Sequence, residues 1–306
     1  MKVLVTGGAG FIGTHIVERL LTEGMTVVVV DNSPKINDRW PEQKVIWYQM
    51  DLLDEKLSNV FSNEKPQVII HLAAQTSVQS SVKRPHNDAE TNIVGTIHLL
   101  QCAVTYDVQK IVFASTAAVY GEPQYLPICE DHQICPTAFY GLSKYAAELY
   151  IRQYHKLFGL SYSILRFSNV YGPGQTEDGE GGVISIFLTH LTKHCSPTIF
   201  GDGRQTRDFI FVGDVVDACV KAMFVRRSYI LNISSHTKLS INDLLAMLKL
   251  QINSDIKPKF QSEKDGDIRH SCLDNSLAIE TLTWRPVVSL NEGLEKTITS
   301  MLDHDM

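Results

Sequence analysis

The sequence predicts an α/β fold, a doubly wound parallel sheet with a smaller C-terminal lobe. Two observations carry this. Continuous apolar runs, too uniformly hydrophobic for strands with one wet face, alternate with helical patterns through about the first 170 residues. Beyond that point the alternation loosens into loop-rich stretches such as "YGPGQTEDGEGG" and "FGDGRQTRD", suited to enclosing a ligand.

Taken in order, "KVLVT" (2–6) is a buried strand, followed by a glycine cluster and a helical pattern to Leu21. Gly24 stands where a left-handed residue ends a helix. "TVVVV" (26–30) is a second buried strand ending at Asp31, and "VIWYQMD" (45–51) and "QVIIHLA" (67–73) follow. A long helical pattern across 88–107 leads to "KIVFAS" (110–115), and a helix over roughly 140–158, closed by Gly159, leads to "SYSILRF" (161–167). The expected division is a sheet domain over 1–170, with later segments about 205–235 returning to it, and a lobe formed mainly by 171–306.

Bulk properties narrow the function. A chain of 306 residues, 44% hydrophobic, supports a sizeable core, and no run of eighteen apolar residues suggests a membrane span. "MKVLVTGG" runs straight into a strand with no leader pattern, so a cytoplasmic location is expected. Six scattered cysteines without a CxxC pair read as reduced and structural, and no metal site is expected. A net charge of −6 without a long run of one sign argues against a nucleic-acid surface. Local arginines and helix N-termini remain able to hold a small anion.

"TGGAGFIG" supplies Gly7, Gly10 and Gly13 between the first strand and the first helix. Glycines there permit a tight turn and the close approach of a pyrophosphate, which the helix N-terminus stabilises, so the sheet is read as Rossmann-type. Asp31, at the end of the second strand, accepts from ribose hydroxyls and repels a 2′-phosphate, favouring NAD over NADP.

Tyr-x-x-x-Lys occurs twice, as Tyr106/Lys110 and Tyr140/Lys144. The first pair straddles a helix end and a strand start and need not share a face. The second lies within "YGLSKYAAELYIRQY", where i and i+4 side chains are neighbours. An adjacent ammonium favours the phenolate. Moving a tyrosine from about 10 to about 7 requires roughly 4 kcal/mol, more than one partly solvated lysine supplies, so the positive nicotinamide ring is expected to contribute.

Nine segments in order now carry a family resemblance: the glycine motif, Asp31, "DLLD" (51–54), "HLAA" (71–74), "NIVGT" (92–96), "STAAVYG" (115–121), "YGLSK" (140–144), "LRFSNVYGPGQ" (165–175) and "RDFIFVGDVVDA" (207–218). Together they resemble an extended short-chain dehydrogenase/reductase of the NAD-dependent nucleotide-sugar epimerase group. The resemblance implies a smaller lobe that binds a UDP-sugar, and inversion at C4 of a UDP-hexose by transient oxidation with retained NAD. It assigns Thr116, Tyr140 and Lys144 to catalysis, Thr116 bonding the sugar O4, Tyr140 moving its proton and Lys144 tuning Tyr140 and holding the nicotinamide ribose. It places Gly7, Gly10, Phe11, Ile12, Gly13, Asp31, Asn32, Asp51, Leu52, Leu72, Ala73, Ala74, Asn92, Ser115 and Phe167 among the cofactor positions. Ser115 is also read as support for the strand end.

For the sugar nucleotide, the resemblance assigns Asn169 and Arg207 to the diphosphate and Phe200 to uracil. Lys264 stands where the family usually has an arginine, which keeps the charge and loses the fork, and Arg269 is the candidate compensation. Ser271 replaces a bulky tyrosine of members restricted to the plain hexose, so UDP-GlcNAc and UDP-GalNAc are expected as further substrates. Thr283 stands where a glycine is common. Related dehydratases carry acids directly after the catalytic threonine, and Ala117 and Ala118 transfer no proton. Decarboxylases, UDP-glucuronate epimerases and a non-catalytic NAD-binding regulator are the rival readings. The helical stretches 88–107 and 140–158 match those that pair two subunits in the family, which implies a homodimer.

Overall fold

The computed structural model describes residues 1–34, 40, 44–176, 182–263 and 268–304. They form two compact units, Met1–Val119 with Ala138–Arg166 and Val216–Leu231, and Tyr120–Thr137 with Phe167–Val215 and Asn232–Met306.

The chain runs β1 (Lys2–Thr6), α1 (Phe11–Thr22), β2 (Thr26–Asp31), β3 (Val45–Gln49), α2 (Leu57–Glu64), β4 (Val68–His71), α3 (Val78–Lys83), α4 (Pro85–Ala89), α5 (Gly95–Thr105), β5 (Lys110–Thr116), α6 (Phe139–Phe158) and β6 (Ser161–Phe167). It continues through β7 (Asn169–Tyr171), α7 (Val183–Thr192), β8 (Thr198–Phe200), β9 (Thr206–Arg207), β10 (Phe209–Phe211), α8 (Val212–Phe224) and β11 (Tyr229–Ile233).

In the first unit, seven strands form a parallel sheet in the order β11-β6-β5-β4-β1-β2-β3. Val27–Val30 of β2 and Val3–Val5 of β1 are almost wholly buried, as strands covered on both faces must be. The order reverses between β1 and β4, and in such sheets ligands bind beyond the strand ends at that reversal. Thr6 pairs with His71 there, so Gly7 and Leu72–Ala74 leave the sheet side by side.

The helical pattern expected over 88–107 begins earlier and is interrupted. Pro85 cannot continue a helix from Arg84, whose backbone is non-helical, so α3 and α4 are separate short helices. Glu90–Val94 then forms a single π-helical turn before α5, and within it Asn92 is buried.

In the second unit β7 pairs with β10 in parallel, over a core that includes Tyr171, Phe187, Leu244, Leu248 and Leu294. Residues 120–137, placed by the sequence with the sheet domain, cluster in this unit instead. Local contacts explain it: Ile128 N–H donates to the Cys272 carbonyl and Asp274 N–H to the Ile128 carbonyl, both at 2.8 Å, and Tyr120 Oη donates to Asn232 Oδ1 at 2.6 Å. The "WRP" turn closes on α8, with Trp284 Nε1 donating to the Asp214 carbonyl at 2.9 Å. Thr283, just before it, has a left-handed backbone with φ of 48°. Among the described residues no helix is long and apolar enough to cross a membrane.

Candidate active site

The glycine turn has the close contacts a dinucleotide site requires. Gly7 has φ of +71°, and a Cβ there would lie 2.7 Å from the Ala73 backbone nitrogen. A Cβ on Gly13 would lie 2.1 Å from the Gly7 carbonyl oxygen, so α1 is seated directly on the turn. Gly10 caps α1 with no side-chain hydrogen bond, and no acid occupies the first turn, which contains Phe11 and Ile12. The helix N-terminus is therefore suited to an anion from outside the chain. Asp31 Oδ2 accepts from Ala9 N–H and Oδ1 from Ser33 N–H, each at 2.9 Å, which orients a buried carboxylate against the turn. Asn32 and Asp51 are exposed, while Leu52 is buried against Gly95. These residues fit NAD: a turn too close for side chains, an uncapped helix end, and an acid that disfavours a 2′-phosphate.

The candidate reactive groups of the same unit, Thr116, Tyr140 and Lys144, lie around α6. Ser81 Oγ, on α3, accepts from Tyr140 N–H at 3.1 Å and fixes the start of the helix. Tyr140 is half-buried and Lys144 almost fully buried on the same side of α6. The short 3-10 turn Ala117–Val119 packs against α6 and brings the end of β5 to it. Thr116 Oγ1 accepts from Ala118 N–H at 3.1 Å, so its own proton is directed elsewhere. The rival pair dissolves in the structure. Tyr106 ends α5, and buried Lys110 donates to the Val225 carbonyl, its ammonium pushed down by burial to about 8.

Beneath these groups sits a buried polar layer that the sequence did not reveal. Glu148, one helical turn after Lys144, accepts from Ser115 Oγ at 2.5 Å and from Arg166 through Nε at 3.0 Å and a terminal nitrogen at 2.7 Å. Ser115 is thus a strand-end support whose hydroxyl is taken by protein. Asn92 is also held by protein, donating to the Gln75 carbonyl, Asp88 and Ser143 and accepting from Gln75 N–H.

A third chain of bonds crosses the sheet reversal. His71 Nδ1 lies 2.7 Å from Thr6 Oγ1 and Nε2 lies 3.0 Å from Thr96 Oγ1. Thr96 gives its only hydroxyl proton to the Asn92 carbonyl, so His71 donates through Nε2 and accepts at Nδ1. Burial, with the Lys144 ammonium nearby, pushes His71 down to about 3. The Phe113 ring lies 5.4 Å from the His71 ring, and Lys144 Nζ sits 4.3 Å over its centroid. An aromatic three residues before Thr116 was the only sequence signal available for this contact.

In the second unit Phe167 is buried at the end of β6, Asn169 is exposed at the start of β7, and Phe200 is half-buried at the end of β8. Arg207 is buried and donates to the Thr206 carbonyl at 2.9 Å. Its neighbour Asp208 accepts from Ser168, Ser235 and Leu273, and burial raises its carboxyl above the usual range. Arg269 bonds Asp202, beside Phe200, at 2.7 Å and holds that exposed carboxyl down at about 2. Ser271 is buried, its N–H donating to the Thr206 carbonyl. Lys264 lies outside the described residues. Among the described residues no cluster of His, Cys, Asp or Glu is arranged to hold a metal.

The model of the NAD dependent epimerase/dehydratase family matches residues 3–233. The chain belongs to that family. A relative from Methanocaldococcus jannaschii, described as a putative UDP-glucose 4-epimerase, is 42% identical to this family member, covering 99% of both chains. Among solved structures, a UDP-glucose 4-epimerase from Thermotoga maritima with UDP-glucose superposes with a TM-score of 0.96 at 38% identity, covering 100% of both chains. A UDP-N-acetylglucosamine 4-epimerase from Methanobrevibacter ruminantium, in complex with UDP-N-acetylmuramic acid, superposes with a TM-score of 0.94 at 32% identity, over 99% of this epimerase-family chain and 98% of its own. The glycine turn, Asp31 and Tyr140/Lys144 all fall inside the matched segment, as does Arg207.

Proposed function

We propose that this chain is a UDP-hexose 4-epimerase, interconverting UDP-glucose and UDP-galactose and acting also on UDP-GlcNAc and UDP-GalNAc. The observation that carries this is the group Thr116, Ala117, Ala118, Tyr140 and Lys144: two hydroxyls and an ammonium, with no acid or base directly after the threonine. NAD, when bound, would supply reversible hydride acceptance at C4 of the sugar, held by the glycine turn and Asp31. Tyr140 Oη takes the proton of the 4-hydroxyl and gives it back. Lys144 raises the phenolate population of Tyr140. Thr116, held by Ala118 N–H, turns its proton to the sugar O4. Removal of water across C5 and C6 needs a further acid–base group, and two alanines stand where one would serve.

In this reading the first unit holds NAD and the second the sugar nucleotide, with Arg207 and Asn169 on the diphosphate and Phe200 on uracil. Ser271 leaves room for an N-acetyl group at C2. The names of the 42% identical relative and of the two structural neighbours support the substrate class.

A homodimer belongs to the same proposal. Val82 on α3, Val94 in the π turn, and Leu142 and Leu149 on α6 are 56%, 48%, 51% and 45% exposed, an apolar surface suited to a second copy. Sedimentation as a monomer at micromolar concentration would count against it. The six free thiols support a cytoplasmic location.

The deciding experiment incubates purified protein, without added cofactor, with the four UDP-sugars. C4 inversion is expected, and its absence after NAD is supplied refutes the reading. Tyr140→Phe lowers turnover by about 10³-fold while NAD stays bound, whereas a non-catalytic regulator retains its function.

A further inference from the structure

Lys144 is an almost fully buried ammonium, a costly group for an interior, and its Nζ rests 4.3 Å over the face of wholly buried Phe113. An aromatic face is the negative end of a quadrupole and attracts a cation, more strongly when water is excluded. It does so without placing a formal negative charge beside the lysine. That distinction matters for a lysine whose task is electrostatic. A carboxylate close to Nζ would hold the ammonium and also cancel its field at a neighbouring phenolate, whereas a ring holds the ammonium and leaves the field intact.

The charges around it are arranged consistently with this. Glu148 stands at i+4 from Lys144 on α6, the spacing of a helical ion pair, yet both of its oxygens receive hydrogens from Arg166 on β6, and Ser115 on β5 adds another. Its charge is thereby matched by a guanidinium. From β4, His71 faces the same ring and is locked neutral by Thr6 and Thr96, so it adds no second cation. Asp88, on α4, accepts from the side chains of Gln75 and Asn92. On α6 itself, Tyr140 stands four residues before Lys144, on the same side of the helix.

We propose that Phe113 is a positioning residue that seats the Lys144 ammonium on its π face, keeping the lysine charged without neutralising the field it exerts on Tyr140. The inference rests on the role given to Lys144 above, but its test measures the seat itself. Phe113 is replaced by 4-fluoro-, 3,5-difluoro- and 3,4,5-trifluorophenylalanine, which drain the π face while nearly preserving shape. The Lys144 ammonium is titrated by NMR in holoenzyme carrying ¹³C-labelled lysine, with its resonance assigned by loss in Lys144→Arg. The midpoint is expected to fall stepwise with fluorine number, by on the order of one pH unit at three fluorines, while the urea midpoint stays constant. The alkaline limb of the turnover profile moves down with it.

A lysine midpoint unchanged from phenylalanine to the trifluorinated ring overturns the proposal, whatever happens to turnover. If the trifluorinated protein does not fold, the mono- and difluorinated members give the same comparison. Loss of epimerase activity in the unsubstituted protein would sink the functional reading and leave the titration result standing.

Discussion

Acid provides a direct test of the buried hydrogen-bond chain at the sheet reversal. In the fold, Thr6 donates to His71 Nδ1 and His71 Nε2–H donates to Thr96, so a second proton on the ring has no acceptor and meets the Lys144 charge. In the unfolded chain the same ring titrates near 6.5, against about 3 when folded. Between those values the unfolded chain binds more protons, so this contribution is fully present above about pH 6.5 and is lost as the pH falls towards 3. At about 1.4 kcal/mol per unit, His71 removes about 2 kcal/mol of stability at pH 5 and about 3 kcal/mol at pH 4. Urea unfolding of the protein and of His71→Gln, at pH 7.5 and pH 5, isolates the effect, because carboxylate contributions common to both cancel. The unsubstituted protein should lose about 2 kcal/mol more than the variant over that interval. Equal losses in the two proteins would refute a neutral, doubly bonded His71.

Three further outcomes follow from local geometry. Gly13→Ala puts a methyl 2.1 Å from the Gly7 carbonyl oxygen, so α1 must lift from the turn; a stability loss of about 1–3 kcal/mol and release of copurifying NAD are expected, and retention of both contradicts the close seating. Thr283→Gly relieves a β-branched residue at φ of 48° and should stabilise the protein by about 1 kcal/mol in urea, with a lowered midpoint as the contrary result. Ser271→Tyr should cut turnover of UDP-GlcNAc relative to UDP-glucose by more than about tenfold; an unchanged ratio means that residue 271 does not face the C2 substituent.

Much of the first unit was legible because its determinants are local. A parallel strand buried on both faces carries a continuous apolar run, which marked β1, β2, β4 and β5, and a turn that approaches a phosphate closely favours glycine, which marked Gly7 and Gly13. An i, i+4 pair within one helix is fixed by helical geometry, so Tyr140 and Lys144 could be separated from Tyr106 and Lys110. The letters across 88–107 form one continuous helical pattern, because a π turn changes the face of Asn92 without changing the run of apolar letters. The placement of residues 120–137 in the second unit depends on bonds to Cys272, Asp274 and Asn232, far away in sequence.

The same division holds at the site. Sequence alone determined which residues carry hydroxyl, phenol and ammonium, because those groups are side-chain identities placed by motif. Only the tertiary structure decided how they are supported: which acid Arg166 occupies, which proton His71 keeps, and which ring lies under Lys144. Those are pairings between strands and helices tens of residues apart. Their free energies depend on burial and on distances of a few ångströms, and no one-dimensional pattern records either.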